Sequence, residues 1–128
     1  VNLLGIDLDK RCGIAYSIEG IVFPGETVPR VEIISAMKKW TREKKIEKII
    51  IGLPYHADGT ESPQLKKTRI FIEKLAIFPD ILMDTIDERY STFEAISFLN
   101  SIGEKNIFPQ KDTHSAVSIL QNYLAKGE

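Results

Sequence analysis

The chain has 128 residues, 43% of them apolar and 27% charged, with a formal net charge of −1. That length and balance describe one soluble globular domain, 1–128, with a core that needs no disulfide. The near-neutral charge gives no global sign of nucleic-acid binding. The single cysteine, Cys12, excludes an internal disulfide framework and a thiolate zinc site. No stretch reaches the roughly 18 apolar residues that cross a bilayer, and no signal-peptide pattern is present, so a cytoplasmic protein is expected.

In chain order, Asn2-Leu3-Leu4-Gly5-Ile6-Asp7-Leu8 reads as a short buried strand that carries an acid near its end. An ionised carboxylate so close to a core needs a cation, a metal or hydrogen-bond donors. The turn-like Asp9–Gly13 follows. Ile14–Ile18 and Ile21–Phe23, joined by Glu19-Gly20, form a hairpin and complete an antiparallel meander. Pro29 suits the first turn of a helix that carries Ile33, Ile34, Met37 and Trp40 on one face and ends near Lys45.

Lys48–Gly52 is a continuous apolar strand of the kind buried on both faces of a parallel sheet. A loop over 53–60 contains an Asp58-Gly59 turn. Ser62 and Pro63 are the cap and first residue of a second helix, with Leu65, Ile72 and Leu75 inward, Phe71 beside them, and Pro79 beyond its end. Ile81–Ile86 is a fifth strand. Ser91 and Glu94 have capping-box spacing for a third helix, with Gly103 as its stop, and a last helix from about Asp112 buries Ala116, Ile119, Leu120, Tyr123 and Leu124. The expected architecture is α/β: a mixed five-stranded sheet, three antiparallel strands followed by two parallel ones, with helices on both faces.

Asp7, Asp87 and Glu88 fall at strand ends, and Asp112 at a helix start. Ligands gather beyond the carboxyl ends of parallel strands, and converging carboxylates without cysteine suit Mg²⁺ or Mn²⁺ better than zinc. Each acid also has a plainer role. Asp112 suits a helix cap, and Asp87 and Glu88 suit a surface loop in which Arg89 pairs with one of them. Alternation along the strand puts Asp87 and Glu88 on opposite faces, and the sequence does not say which one shares a face with Asp7.

Gly5-Ile6-Asp7-Leu8 with Lys10-Arg11-Cys12-Gly13-Ile14-Ala15 resembles the opening motif of the YqgF/RuvX family of Holliday junction resolvases, which are also linked to pre-16S rRNA processing. Ile51-Gly52-Leu53-Pro54 with Asp58-Gly59-Thr60 resembles that family's GLP loop. The stretches 87–95 and 112–124 resemble its DER motif and its terminal helix. This resemblance spans nearly the whole chain. It implies an RNase H-like fold and a nuclease with two Mg²⁺ or Mn²⁺ ions, held by Asp7, Glu88 and Asp112 as the catalytic carboxylates. It further implies substrate contacts from Lys10, Arg11, Arg89, Thr92, Asp58 and Gly59, with Asp87 orienting Arg89 or a water. The implied partners are an rRNA precursor or branched DNA, and a second copy of the chain, for which Trp40 and Phe108 are candidate surface residues.

Three positions depart from the family pattern. The turn after Asp7 is one residue short and lacks a glycine, which makes Asp9 a candidate fourth acid. His56 and His114 replace the usual asparagine and apolar residue, and either imidazole suits proton transfer near neutral pH. Two other classes compete with a nuclease. One is a non-catalytic nucleic-acid or ribosome-associated module. The other is a phosphate binder of the actin and sugar-kinase type, whose opening loop is similar but which needs a second domain.

Overall fold

In a computed structural model the residues described are 1–54, 58–75, 78, 80–87 and 111–125, the last stretch with side chains from 115 onward. The strands are β1 (Leu3–Asp7), β2 (Arg11–Ile18), β3 (Ile21–Pro29), β4 (Lys48–Leu53) and β5 (Leu82–Asp87). A 3-10 turn over Arg30–Glu32 leads into α1 (Ile33–Glu43); α2 spans Pro63–Lys74 and α3 spans Lys111–Ala125. The sheet order is β3-β2-β1-β4-β5, with β1, β4 and β5 parallel and β1, β2 and β3 antiparallel. That is the mixed sheet read from the sequence. The third helix expected from Ser91, with its stop at Gly103, lies outside the described residues.

β1 is central and divides its side chains between two cores. Leu4, Ile6 and Leu8 point to the face covered by α1 and α2, where they pack with Ile14, Met37, Ile49, Ile51 and Phe71. Leu3 points to the other face and packs beneath α3 with Ala15, Ile50, Ile86 and Leu120. The Ile49-Ile50-Ile51 run is completely buried and serves both layers, so a two-sided strand was the correct reading. Each such side chain stabilises the fold by about 1.5–3 kcal/mol.

Gly5 is where α3 comes closest to the sheet. A Cβ at that position would lie 2.6 Å from Leu120 Cγ and 3.1 Å from the Ala116 carbonyl oxygen. At the opposite end of the helix, Lys48 Nζ donates to the Tyr123 hydroxyl at 3.0 Å, and that hydroxyl donates to Asp84 Oδ2 at 2.7 Å. The Tyr123 bond is the main cause holding the Asp84 carboxyl below its ordinary pKa; burial is the main cause pushing the Tyr123 phenol up.

Local signals account for the element ends. The hairpin turns at Glu19 (φ 51°) and Gly20 (φ 85°), the paired positive angles of a type I′ turn. Ser62 Oγ accepts from Leu65 N–H at 3.2 Å with Pro63 behind it, as its sequence position implied. α1 ends through Lys45 (φ 52°), with Ile46 N–H donating to the Thr41 carbonyl at 3.0 Å and Asn2 Nδ2 donating to the Lys44 carbonyl at 2.8 Å.

Two expectations need correction. Pro29 is the last residue of β3, not the first turn of a helix: pairing with β2 runs on through Thr27, Val28 and Pro29. It does so because β3 has one extra residue at the bulge opposite Gly13–Ala15, and because an edge strand tolerates Pro24 and Pro29. Gly25 is required there, since a Cβ would lie 2.6 Å from the Ile14 carbonyl oxygen. In α2 the inward stripe is Leu65, Thr68, Phe71 and Leu75, so Phe71 replaces Ile72, which is only partly buried. Thr68 is tolerated because its hydroxyl donates to the Gln64 carbonyl at 3.1 Å.

Gly5→Ala should cost about 1–3 kcal/mol, because the clash with the Ala116 backbone cannot be relieved by rotating Leu120; urea unfolding measures it. Tyr123→Phe should cost about 1 kcal/mol at neutral pH, a hydrogen bond to a charged group discounted for the exposure of Asp84. A depressed carboxylate pKa contributes stability above its unfolded value, about 3.9, and loses it as pH falls through the folded value. The difference between wild type and Tyr123→Phe should therefore shrink as pH drops below 4, as followed by urea titrations across pH.

Candidate active site

Asp7 ends β1 partly buried. Alternation from Leu3 and Gly5 puts its side chain on the α3 face. Its neighbour on β2 is Gly13, and the next position in register on β4 is Gly52. Neither glycine has a side chain, so the sheet beside this carboxylate is bare on both sides.

The direction of α3 brings its first turn to the same place. Tyr123 is tied to Lys48, which pairs with Leu3 at the start of β1, and Ala116 lies over Gly5. The helix therefore runs antiparallel to β1. One further turn back is about 6 Å at 1.5 Å per residue, matching the two-residue step from Gly5 to Asp7. The backbone of Asp112, second residue of α3, thus comes level with Asp7.

Asp87 lies elsewhere. Ile86 packs beneath α3 and Asp84 bonds to Tyr123, while Met83 packs against the α1/α2 core. Asp87, on the same side as Met83, therefore faces away from the face that holds Asp7. The choice between Asp87 and Glu88 left open by the sequence narrows accordingly. Glu88, Arg89 and Thr92 themselves, with His56 and Phe108, lie outside the described residues, as do the side chains of Asp112 and His114. Among the described residues no three of His, Cys, Asp and Glu gather into a metal-holding group.

The turn Leu8–Lys10 between β1 and β2 is pinned from several sides. Asp9 Oδ1 accepts from Lys10 N–H at 2.8 Å, Cys12 Sγ donates to the Asp9 carbonyl at 3.4 Å, and Gln64 Nε2 donates to the Leu8 carbonyl at 2.6 Å. Asp9 is exposed and closes its own turn. Burial pushes the Cys12 thiol pKa up, which keeps it protonated and unreactive.

The two cations of this turn separate. Arg11 shares the parity of Gly13 and Ala15, hence the face of Asp7, and its Nη2 reaches the Thr27 carbonyl at 3.5 Å. Lys10 lines a cleft on the opposite, α1/α2 side. Arg30, which sequence reasoning passed over, is beside this turn: its N–H donates to the Lys10 carbonyl at 3.1 Å. The unseen continuation of β3 brings it there. Asp58 accepts from Thr60 N–H at 2.9 Å and from Thr60 Oγ1 at 2.7 Å, with Gly59 at φ 91° completing the turn. Asp58 therefore shapes its loop as well as being a candidate contact. Trp40, expected on a candidate surface, is partly buried against Tyr16 at 5.3 Å between ring centroids.

A protein of Chlorobium phaeobacteroides bearing the name "Putative pre-16S rRNA nuclease" is 37% identical over 96% of this chain and 91% of its own length. Same-named proteins of Gloeobacter violaceus and Clostridioides difficile are 32% and 35% identical, over 97% and 96% of this chain and 83% and 93% of their own. The structure of Thermus thermophilus RuvC superposes with a TM-score of 0.70 at 14% identity, covering 99% of this chain and 97% of that one, which establishes a shared RNase H-like fold. The same RuvC has been solved with a Holliday junction substrate. The family described as RuvX: Holliday junction resolvase matches residues 1–126, and the chain belongs to that family.

Proposed function

We propose that this protein is a divalent-metal-dependent endonuclease acting on structured nucleic acid, with a precursor of 16S rRNA as its substrate. The observation that supports the reading is that Asp7 and the backbone of the first turn of α3 come level at the carboxyl edge of the parallel strands. The names of the relatives support the rRNA substrate; the family description favours a four-way DNA junction as the second reading.

Asp7, Glu88 and Asp112 form the carboxylate set. A partly buried acid with glycines on either side suits Mg²⁺ or Mn²⁺, because it leaves room for a hydrated hard cation and offers oxygen only. Asp7, Glu88 and Asp112 would hold paired ions, which would supply Lewis-acid stabilisation of the charge that develops in an in-line phosphodiester displacement. Water attacks phosphorus and the 3′ oxygen leaves, with no covalent link to the protein. Arg11 is the cation on the correct face to meet the scissile phosphate, and its planar guanidinium suits two oxygens at once. Arg89 and Thr92 extend that contact along the backbone, and the Asp58-Gly59 turn rims the cleft, while Lys10 rises over the opposite groove. Asp87 faces the other way and acts by orienting Arg89.

Outer-shell partners of a metal site alone are worth about 10–100-fold, so Asp7→Asn should lower cleavage by at least about 100-fold. It should also abolish Mn²⁺-induced broadening of the NMR signals of Gly5, Gly13 and Ala116. A wild-type protein that takes up no Mn²⁺ at millimolar concentration would sink the metal reading; equal cutting by wild type and variant would expose a contaminating nuclease. Side-by-side cleavage of an rRNA precursor and a four-way junction decides the substrate. Arg11→Ala should weaken substrate binding more than Lys10→Ala and lower the salt dependence by about one ion, as read from binding titrations at several salt concentrations.

A further inference from the structure

On the side of the sheet away from Asp7, the 3-10 turn and α1 stand apart from α2 and leave a groove of about 920 Å³. Its α2 wall is one helical stripe, Pro63, Lys67, Ile70 and Lys74, with Gln64 and Phe71 alongside. Two of its apolar residues are open to water: Val31 is 92% exposed and Ile70 51% exposed. Lys10, Arg30, Lys67 and Lys74 rim it, and among the described lining residues Asp9 is the only acid. Glu73 sits on α2 but off this stripe.

We propose that this groove is the docking site for an acidic amphipathic helix of a partner protein. Exposed aliphatic residues in a concave setting gain by covering apolar side chains, and the cationic rim selects negative charge around them. A nucleic-acid backbone would use the rim and leave Val31 and Ile70 with nothing to bury. A second copy of this chain, docking face to face about a two-fold axis, would set the cationic rim against itself. An acidic helix meets both demands, with its apolar side laid along α2, about 18 Å long. The site is separate from the proposed nuclease centre, and its occupation is read by binding alone, with no cleavage assay.

The test uses a fluorescein-labelled helical peptide of about 18 residues, with Leu and Ile at i, i+4 and i+7 and Glu elsewhere. Controls are the same peptide with Lys for Glu and a single-stranded oligothymidine. Anisotropy should show saturable binding of the acidic peptide alone, weakened about tenfold or more by Val31→Asp or Ile70→Asp. Lys67→Glu should weaken it and flatten its salt dependence. Both apolar positions are exposed, so these variants should keep the wild-type circular dichroism and urea midpoint. Four outcomes overturn the proposal: no saturable binding of the acidic peptide up to about 1 mM; equal binding of the Lys peptide; oligothymidine binding lost in the same variants; or self-association of the wild type that Val31→Asp abolishes.

Discussion

The contact on which the structure depends most is the approach of α3 to β1 across Gly5. With no Cβ in the way, Ala116 and Leu120 lie directly on the central strand. The bonds from Lys48 to Tyr123 and from Tyr123 to Asp84 fix where the far end of the helix rests. One end clamped and the middle in contact leave no freedom over where the first turn points. The level of residue 112 along β1 is thus set by residues one to three turns away, none of them charged groups of the site.

β1 assigns work to its two faces by parity. Leu3, Gly5 and Asp7 serve the α3 side; Leu4, Ile6 and Leu8 serve the α1/α2 side. A one-residue slip of this strand would exchange the carboxylate for a leucine. Burial of Leu4 and Ile6 on one side and Leu3 on the other makes such a slip expensive. The same parity separates neighbours at the tip, with Arg11 beside Asp7 and Lys10 over the opposite groove. Two surfaces of different chemistry therefore meet at a turn of three residues.

Much of this was legible in the chain. The Ile49–Ile51 run, the Glu19-Gly20 turn and the Ser62-Pro63 cap are local signals, and each formed the element it implied. Asp7 stood out because an acid among buried aliphatics has few cheap explanations. What was not legible depends on pairing between distant strands. Nothing near Thr27 announces that β3 resumes after its bulge, so Pro29 looked like a helix start and Arg30 escaped notice. The face of Asp87 needed the register of β5 against β4, which no single strand contains. Phe71 and Ile72 are adjacent on α2 and both apolar; only packing against the sheet separates the buried one from the partly buried one. The acids at 88 and 112 rest on motif resemblance together with the direction of α3.

β3 closes one side of the sheet, and its irregularity has a consequence for how the molecule behaves in a crowded solution. An edge strand normally offers a ladder of unpaired donors and acceptors that a second chain can extend. Here Pro24 and Pro29 remove two donors, and the bulge at Gly25 breaks the two-residue rhythm an incoming strand would have to match. The border is thereby unsuited to templating. A border of this kind resists extension by a second copy of the chain, and the features that supply it are the ones that hid the length of β3.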